Sequence, residues 1–186
     1  MSVMNEILAL YADRGGDAYF GECVSIAEHG LQAAHFAHAA GAPPALIVAA
    51  LLHDVGHLIG NAPDDLAEWT VDDAHERVGG RWLAERFPPE VSEPVRLHVP
   101  AKRYLLATDA EYFAKLSAAS VVTLKLQGGP MSREEAARFE GEPFHQEAVL
   151  VRRCDDEGKV AGLATAGLLD YRDMIEALSR PPRRAS

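Results

Sequence analysis

The sequence predicts an all-α fold organised as a single helical domain. Three observations carry this. Apolar residues recur at helical spacing through nearly the whole chain, Gly and Pro clusters break that pattern into segments, and no stretch alternates as a half-buried strand would. Val121-Val122-Thr123 is β-branched but sits inside a helical pattern. A length of 186 residues suits one domain, taken as 1–186 with a core over about 17–178, and 48% hydrophobic residues are enough to bury a core.

Ile7, Leu8, Leu10 and Tyr11 mark a first helix, which Arg14-Gly15-Gly16 ends. Tyr19 to Cys23 reads as a loop. Ser25 to Ala40 is an Ala-rich helix stopped by Gly41-Ala42-Pro43-Pro44. Ala45 to Leu58 is apolar almost all round, the pattern of one central buried helix, with Gly60 and Pro63 beyond its end. Asp72 to Phe87 follows, with Asp72 or Asp73 as cap. Pro88-Pro89 separates it from a short helix, Val91 to Val99, in which Pro94 fits only near the start. Asp109 to Gln127 reads as one or two helices. Ser132 with Glu135 is a capping box for the next. Phe144 to Asp155 and Ala166 to Leu178 complete the set. The basic tail, 179–186, reads as flexible and solvated.

Composition removes several function classes. A formal net charge of −10 argues against nucleic acid, which needs a basic footprint. It also looks wrong for an anionic substrate, but a metal pair and a few inward Lys or Arg residues can make one pocket positive on an acidic protein. No apolar run is long enough for a membrane span, and Met1 to Glu6 lacks a signal-peptide pattern. Two cysteines, Cys23 and Cys154, are too few for a disulfide scaffold, so reduced thiols in a cytoplasmic protein are expected.

The chemistry centres on His53-Asp54. An apolar helix has no reason to bury an adjacent His and Asp without a partner, and a metal is the obvious one. A core histidine bonded to its neighbouring carboxylate is the plain alternative for that pair alone. The rest of the chain weighs against it. His29 lies one helix earlier, His75 one helix later, His98 at the end of the next, and Asp155 far downstream at the end of an apolar helix. Helices in a bundle can project such residues into one cavity.

This order, H…HD…H…H…D, resembles the histidine–aspartate (HD) domain superfamily in its two-metal form. HD domains usually hydrolyse phosphate esters, so the flanking residues matter. Tyr19-Phe20-Gly21-Glu22, His57 after His53-Asp54, His98-Val99-Pro100-Ala101-Lys102, Ser120 with Thr123, and Arg152 before Asp155 resemble the mixed-valence di-iron HD oxygenases that cleave organophosphonates. The resemblance runs from about Asp17 to Asp156.

The resemblance implies two iron ions, Fe(II)/Fe(III). One would take His29, His53, Asp54 and Asp155, the other His75 and His98, with Asp54 bridging. It implies O2-dependent cleavage of the C–P bond of a small 1-hydroxyphosphonate, either 2-amino-1-hydroxyethylphosphonate or its N-trimethyl analogue. The products would be a carboxylic acid (glycine or glycine betaine) and phosphate. His57, Lys102, Ser120, Thr123 and Arg152 would cradle the phosphonate, and these types suit it, since an anion with three oxygens needs several donors. Tyr19 and Glu22 would close an open iron position until substrate arrives. An upstream 2-oxoglutarate-dependent hydroxylase is the implied pathway partner. A trimethylammonium head would call for an aromatic cage, to which Tyr19, Phe20 and Tyr104 could contribute.

Taken singly, each cradle residue has an ordinary reading: surface charge for Lys102 and Arg152, back-bonded hydroxyls for Ser120 and Thr123, a satisfied core residue for His57. Two rival functions share the ligand set or its remnant: an HD phosphohydrolase acting on a nucleotide or phosphate ester, and a non-catalytic degenerate HD scaffold. His35, His38 and His145 read as solvated or local, and Cys154 as unreactive.

Overall fold

The computed structural model describes residues 2–19, 21–59 and 75–180. Among them lie α1 (Val3–Arg14), α2 (Ile26–Ala39), α3 (Pro44–Leu51), α4 (Val55–Ile59), α5 (His75–Ala84), α6 (Pro89–Thr108), α7 (Ala118–Leu126), α8 (Arg133–Glu140), α9 (His145–Glu157) and α10 (Arg172–Leu178). Short 3-10 turns at Tyr112–Lys115 and Leu168–Tyr171 precede α7 and α10. No strand forms among the described residues; Ala18 and Ser25 make one isolated bridge. The all-α expectation therefore holds. Phe20, Gly60, Pro63, the cap proposed at Asp72 or Asp73 and the tail from 181 lie outside the described residues.

Capping chemistry sets the starts. Ser25 and Ser132 each accept from the backbone three residues on, and Glu28 and Glu135 reach back, so both α2 and α8 open on a capping box. The core gathers Met4 and Ile7 of α1, Ala33, Ala34 and Ala37 of α2, Ile47 to Leu51 of α3, Leu83 of α5, Val91 and Val95 of α6, Val151 and Cys154 of α9, and Ile175 of α10. α3 runs through the middle, which explains its lack of a polar face.

The helix expected to reach Phe87 ends at Ala84, the one expected from Ala166 starts at Arg172 after a 3-10 turn, and two further boundaries differ at the site. The single helix expected over Ala45 to Leu58 breaks between α3 and α4. The His53 Nδ1–H donates to the Ala50 carbonyl at 2.7 Å, taking the acceptor that the Asp54 amide would use in a continuous helix. Tighter bonds follow, from the Val55 amide to Leu52 and from the His57 amide to Asp54. Adjacent side chains on an unbroken helix diverge by about 100°; the break lets His53 and Asp54 face one centre. The helix expected to stop at Val99 instead continues through Pro100 to Thr108. Each interior proline costs about 3 kcal/mol. Burial of Val91, Val95, Leu97, Val99 and Leu105, at about 1.5–3 kcal/mol per large side chain, offsets that.

Candidate metal centre and anion pocket

Asp54 stands at the middle of the site with its two oxygens facing different histidine pairs. Its Oδ2 lies 3.6 Å from His29 Nε2 and 3.4 Å from His53 Nε2. Its Oδ1 lies 3.3 Å from His75 Nε2 and 3.6 Å from His98 Nε2. Within each pair the imidazole nitrogens nearly touch, at 3.0 Å for His29 and His53 and 3.2 Å for His75 and His98. Asp155 closes the first group, 3.4 Å from His29 and 3.9 Å from His53. His29 comes from α2, Asp54 from the α3–α4 break, His75 from the start of α5, His98 from α6 and Asp155 from α9. All six side chains are buried.

The packing that holds these helices together leaves little slack. A Cβ on Gly56 would lie 2.1 Å from the His75 carbonyl oxygen, so only glycine lets α4 approach the start of α5 this closely.

Hydrogen bonds behind the cluster fix which ring nitrogen faces it. Nδ1 of His29 meets the Gly158 carbonyl at 2.8 Å, that of His53 the Ala50 carbonyl, and that of His98 the Val95 carbonyl at 2.7 Å. A carbonyl can only accept, so each Nδ1 carries the proton and each Nε2 presents a lone pair inward. In the neutral rings the Nε2 lone pairs of His29 and His53 converge with Asp54 Oδ2 and Asp155 Oδ1, and against burial the two carboxylates raise the affinity of His53 for a proton, the same demand for positive charge. Four acceptors in one dry spot repel unless a cation binds them, and the donor set fits a metal ion. Asp54, His75 and His98 make the second such group.

The electrostatics agree. Burial alone pushes the Asp54 carboxyl up, but His53, His75 and His57 outweigh it and hold it well below the ordinary range. Asp155 is likewise held low against burial, by Arg152 and Lys159. Burial, then the neighbouring His75 and His53, push His98 well down, so it is neutral and able to ligate. The Tyr19 hydroxyl donates to Asp54 Oδ2 at 2.7 Å, and its ring stacks on His29 at 3.9 Å. His57 stacks on His75 at 4.0 Å.

A cavity of about 50 Å³ opens beside Asp54. At about 10–15 Å³ per water, it holds a handful of waters or one small molecule, far less than a nucleotide. Tyr19, Glu22, Asp54, His57, His75, His98, Lys102, Ser120, Thr123, Arg152 and Asp155 all line it, and His29 and His53 lie behind. The residues forecast as metal ligands, phosphonate cradle and gate are therefore brought to one place. Lys102 Nζ donates to Thr123 Oγ1 at 2.9 Å. Burial, then the nearby Arg152 cation, lower its pKa to about 7. Arg152 pairs with Asp155 at 2.8 Å, with Asp156, and with the Tyr112 hydroxyl at 3.0 Å. Glu22 Oε1 is buried at the cavity without a hydrogen-bond partner.

Some residues at the site were given no role by the sequence, although Asp156 and Lys159 belong to the segment around Asp155 that carries the resemblance. Lys159 and Gln127 also line the cavity, and Tyr112 and Asp156 hold Arg152. A signal existed for Asp156, four residues after Arg152 and so on its helical face, while Lys159 stands in the turn beyond α9. Nothing local marks Tyr112 or Gln127. Tyr104 is not part of the lining: its hydroxyl donates to Glu140 and its ring packs on Phe139. His38 is exposed, His35 is half-buried against Phe36, and His145 bonds the Glu142 carbonyl. Cys154 is buried in the core, where desolvation raises its thiol to about 12.

Residues 26–157 match the model of the HD domain family. The chain is 46% identical over 163 residues to a hydroxymethylphosphonate dioxygenase of Gimesia maris, covering 87% of this chain and 81% of that protein. It is 41% identical over 177 residues to the glycine-betaine-forming [1-hydroxy-2-(trimethylamino)ethyl]phosphonate dioxygenase of Leisingera caerulea, covering 95% and 90%. An uncharacterized protein of Acanthamoeba polyphaga mimivirus is 37% identical over 179 residues, covering 95% and 82%.

Proposed function

The chain belongs to the HD domain family, and from that premise we propose that it uses a di-iron centre and O2 to cleave the C–P bond of a small 1-hydroxyphosphonate. One observation carries the reading: a carboxylate shared between two imidazole pairs borders a small cavity lined by lysine, arginine and hydroxyl groups. The reaction balances without a reductant. One O2 and one R–CH(OH)–phosphonate contain every atom of R–COOH and phosphate, and C1 supplies the four electrons that O2 takes up.

His29, His53, Asp54 and Asp155 would hold one ion, and His75 and His98 with the other oxygen of Asp54 the second. Four imidazoles and two carboxylates form a donor set that suits iron or manganese better than magnesium, which prefers all-oxygen shells. When bound, a mixed-valence iron pair supplies the O2-binding position and electron transfer. Lys102, Ser120, Thr123, Arg152 and His57 bind and orient the phosphonate, so that C1 is presented to the metal side. Tyr19 steadies Asp54 through its hydroxyl. Glu22, whose free carboxylate oxygen faces the cavity, keeps the centre closed until substrate displaces it, which suppresses wasteful O2 reduction.

The names of the two relatives frame the substrate range. Tyr19 is the lone aromatic besides histidine in the described lining, with its hydroxyl committed to Asp54 and its ring to His29. Of the residues that could form an aromatic cage for a trimethylammonium head, Tyr19 alone is in the described lining, and Phe20 lies outside the described residues. A hydroxylase that installs the C1 hydroxyl, of the 2-oxoglutarate-dependent class, would supply it. The setting is cytoplasmic, with both thiols free; among the described residues no helix is long and apolar enough to cross a membrane.

The test is aerobic incubation of iron-loaded protein with hydroxymethylphosphonate, 2-amino-1-hydroxyethylphosphonate and its N-trimethyl analogue. Phosphate and the matching acid (formate, glycine or glycine betaine) should appear together and only with O2. Phosphate released from phosphate esters without O2, and none from the phosphonates, would put the hydrolase reading in its place.

A further inference from the structure

The turn that follows α9 is fastened to α2 on both sides of one lysine. Before it, the Gly158 carbonyl accepts the Nδ1–H of His29. After it, the buried Gln32 amide grips Val160 twice, donating to its carbonyl at 2.8 Å and accepting its N–H at 2.9 Å. A Cβ on Gly158 would press within 3.2 Å of Ala33 N and the His29 carbonyl oxygen, so the turn lies hard against α2. Lys159, held between these anchors, is directed into the cavity. Its Nζ donates to Ser120 Oγ at 3.1 Å and lies 3.6 Å from Asp155 Oδ1.

This repeats the arrangement of Lys102. Each ammonium meets one hydroxyl of α7, Lys102 at Thr123 and Lys159 at Ser120. The two hydroxyls sit three residues apart on one face. An oxyanion seated against that face would meet both ammonium groups and both hydroxyls. Arg152, by contrast, already serves Asp155, Asp156 and Tyr112.

Resting on the proposed phosphonate chemistry of this site, we infer that Lys159 is a phosphonate-binding residue, paired with Lys102 across the Ser120–Thr123 face, and that Gln32 positions it through Val160. The same strap ties the lysine to the orientation of His29, so anion binding and the first metal group share one piece of backbone.

The experiment uses the full iron-loaded chain and inorganic phosphate, the product anion, as probe. Calorimetric titration should show phosphate binding roughly 10- to 100-fold weaker in Lys159→Gln, the weight of one hydrogen bond to a charged group. The KM for hydroxymethylphosphonate should rise by a similar factor, with kcat within a few-fold of wild type and iron content unchanged. Lys159→Arg should recover most of the loss. Unaltered phosphate affinity in Lys159→Gln, or iron loss in step with the affinity loss, would overturn the assignment and leave Lys159 as a counter-ion of Asp155. Gln32→Leu should raise KM in iron-replete protein; an unchanged KM removes its positioning role. If no hydroxyphosphonate is cleaved yet phosphate binding still depends on Lys159, the oxidative reading fails while the anion site stands.

Discussion

Lys102→Met should make the protein more stable at pH 6 while weakening its grip on substrate. The lysine is 2% exposed, and its ammonium has the Thr123 hydroxyl and, at 3.5 Å, the Ser120 carbonyl as partners. Burial, then Arg152, bring its pKa down to about 7 in the folded protein, against about 10.4 in an unfolded chain. Between those values the unfolded state binds more protons, so this group makes stability rise with pH through that window. Below it the whole cost stands, about 5 kcal/mol at pH 6, falling to about 2 kcal/mol at pH 9. Methionine fills a similar volume without the charge and gives back about 1 kcal/mol by leaving Thr123 without its donor. Urea unfolding of iron-loaded wild type and variant at both pH values measures the difference. The variant's advantage should be several kcal/mol at pH 6 and shrink by about 3 kcal/mol by pH 9, while KM for the phosphonate rises tenfold or more. A variant less stable than wild type at pH 6 would refute the reasoning, because the ammonium would then be a net stabiliser rather than a charge held at a cost for binding.

The metal groups give further expectations. Asp54→Ala should lose both ions and His75→Ala only the second, as read by iron content per chain; full occupancy in Asp54→Ala would contradict the bridging role. Gly56→Ala should push α4 from α5, costing at least about 1–3 kcal/mol and lowering iron content at the His75–His98 group first; wild-type unfolding and iron content would show that the approach has slack. Glu22→Gln should autoxidise faster in air without substrate, followed by the optical spectrum of the ferrous protein, and a wild-type rate removes the gate. Arg152→Ala should cost about 3–5 kcal/mol, since Asp155 and Asp156 lose a shared buried partner, and a loss below about 1 kcal/mol would mean that water replaces the guanidinium.

The sequence made the helices legible where local chemistry decides them. The capping box at Ser132 and the Gly15 stop are written in adjacent residues. It misled where a side chain competes with the backbone. Nothing in the apolar run from Ala45 to Leu58 announces that His53 takes the Ala50 carbonyl and breaks the helix. Nor does Pro100 reveal that burial along α6 carries the helix across it. At the site, residue types that are costly to bury stood out in an apolar context, so the residues proposed as ligands could be picked. The residues that hold them could not be read the same way. Gln32 and Tyr112 act through contacts 128 and 40 positions away, to Val160 and to Arg152, which no spacing rule reaches.

Net charge and local charge part company here for a structural reason. The chain carries −10 overall, yet carboxylates such as Glu28, Asp109, Glu134 and Glu135 are solvated on the surface, where water and salt screen them. Inside, Asp54 and Asp155, proposed as ligands, and Glu22, proposed as the gate, face Lys102, Arg152 and Lys159 across a few ångströms of low-dielectric space. Arg152 and Lys159, with Lys102 in its charged form, offset much of the carboxylate charge before any metal is counted, and each bound ion would add positive charge to the pocket. Asp155 is the hinge of this balance, because it serves the first metal group while pairing with Arg152 and Lys159. A metal ion held there would draw on its lone pairs, weaken its hold on both cations and leave them more available to an incoming oxyanion. That competition predicts tighter phosphate binding by iron-loaded than by metal-free protein, and equal affinity in the two forms would refute it.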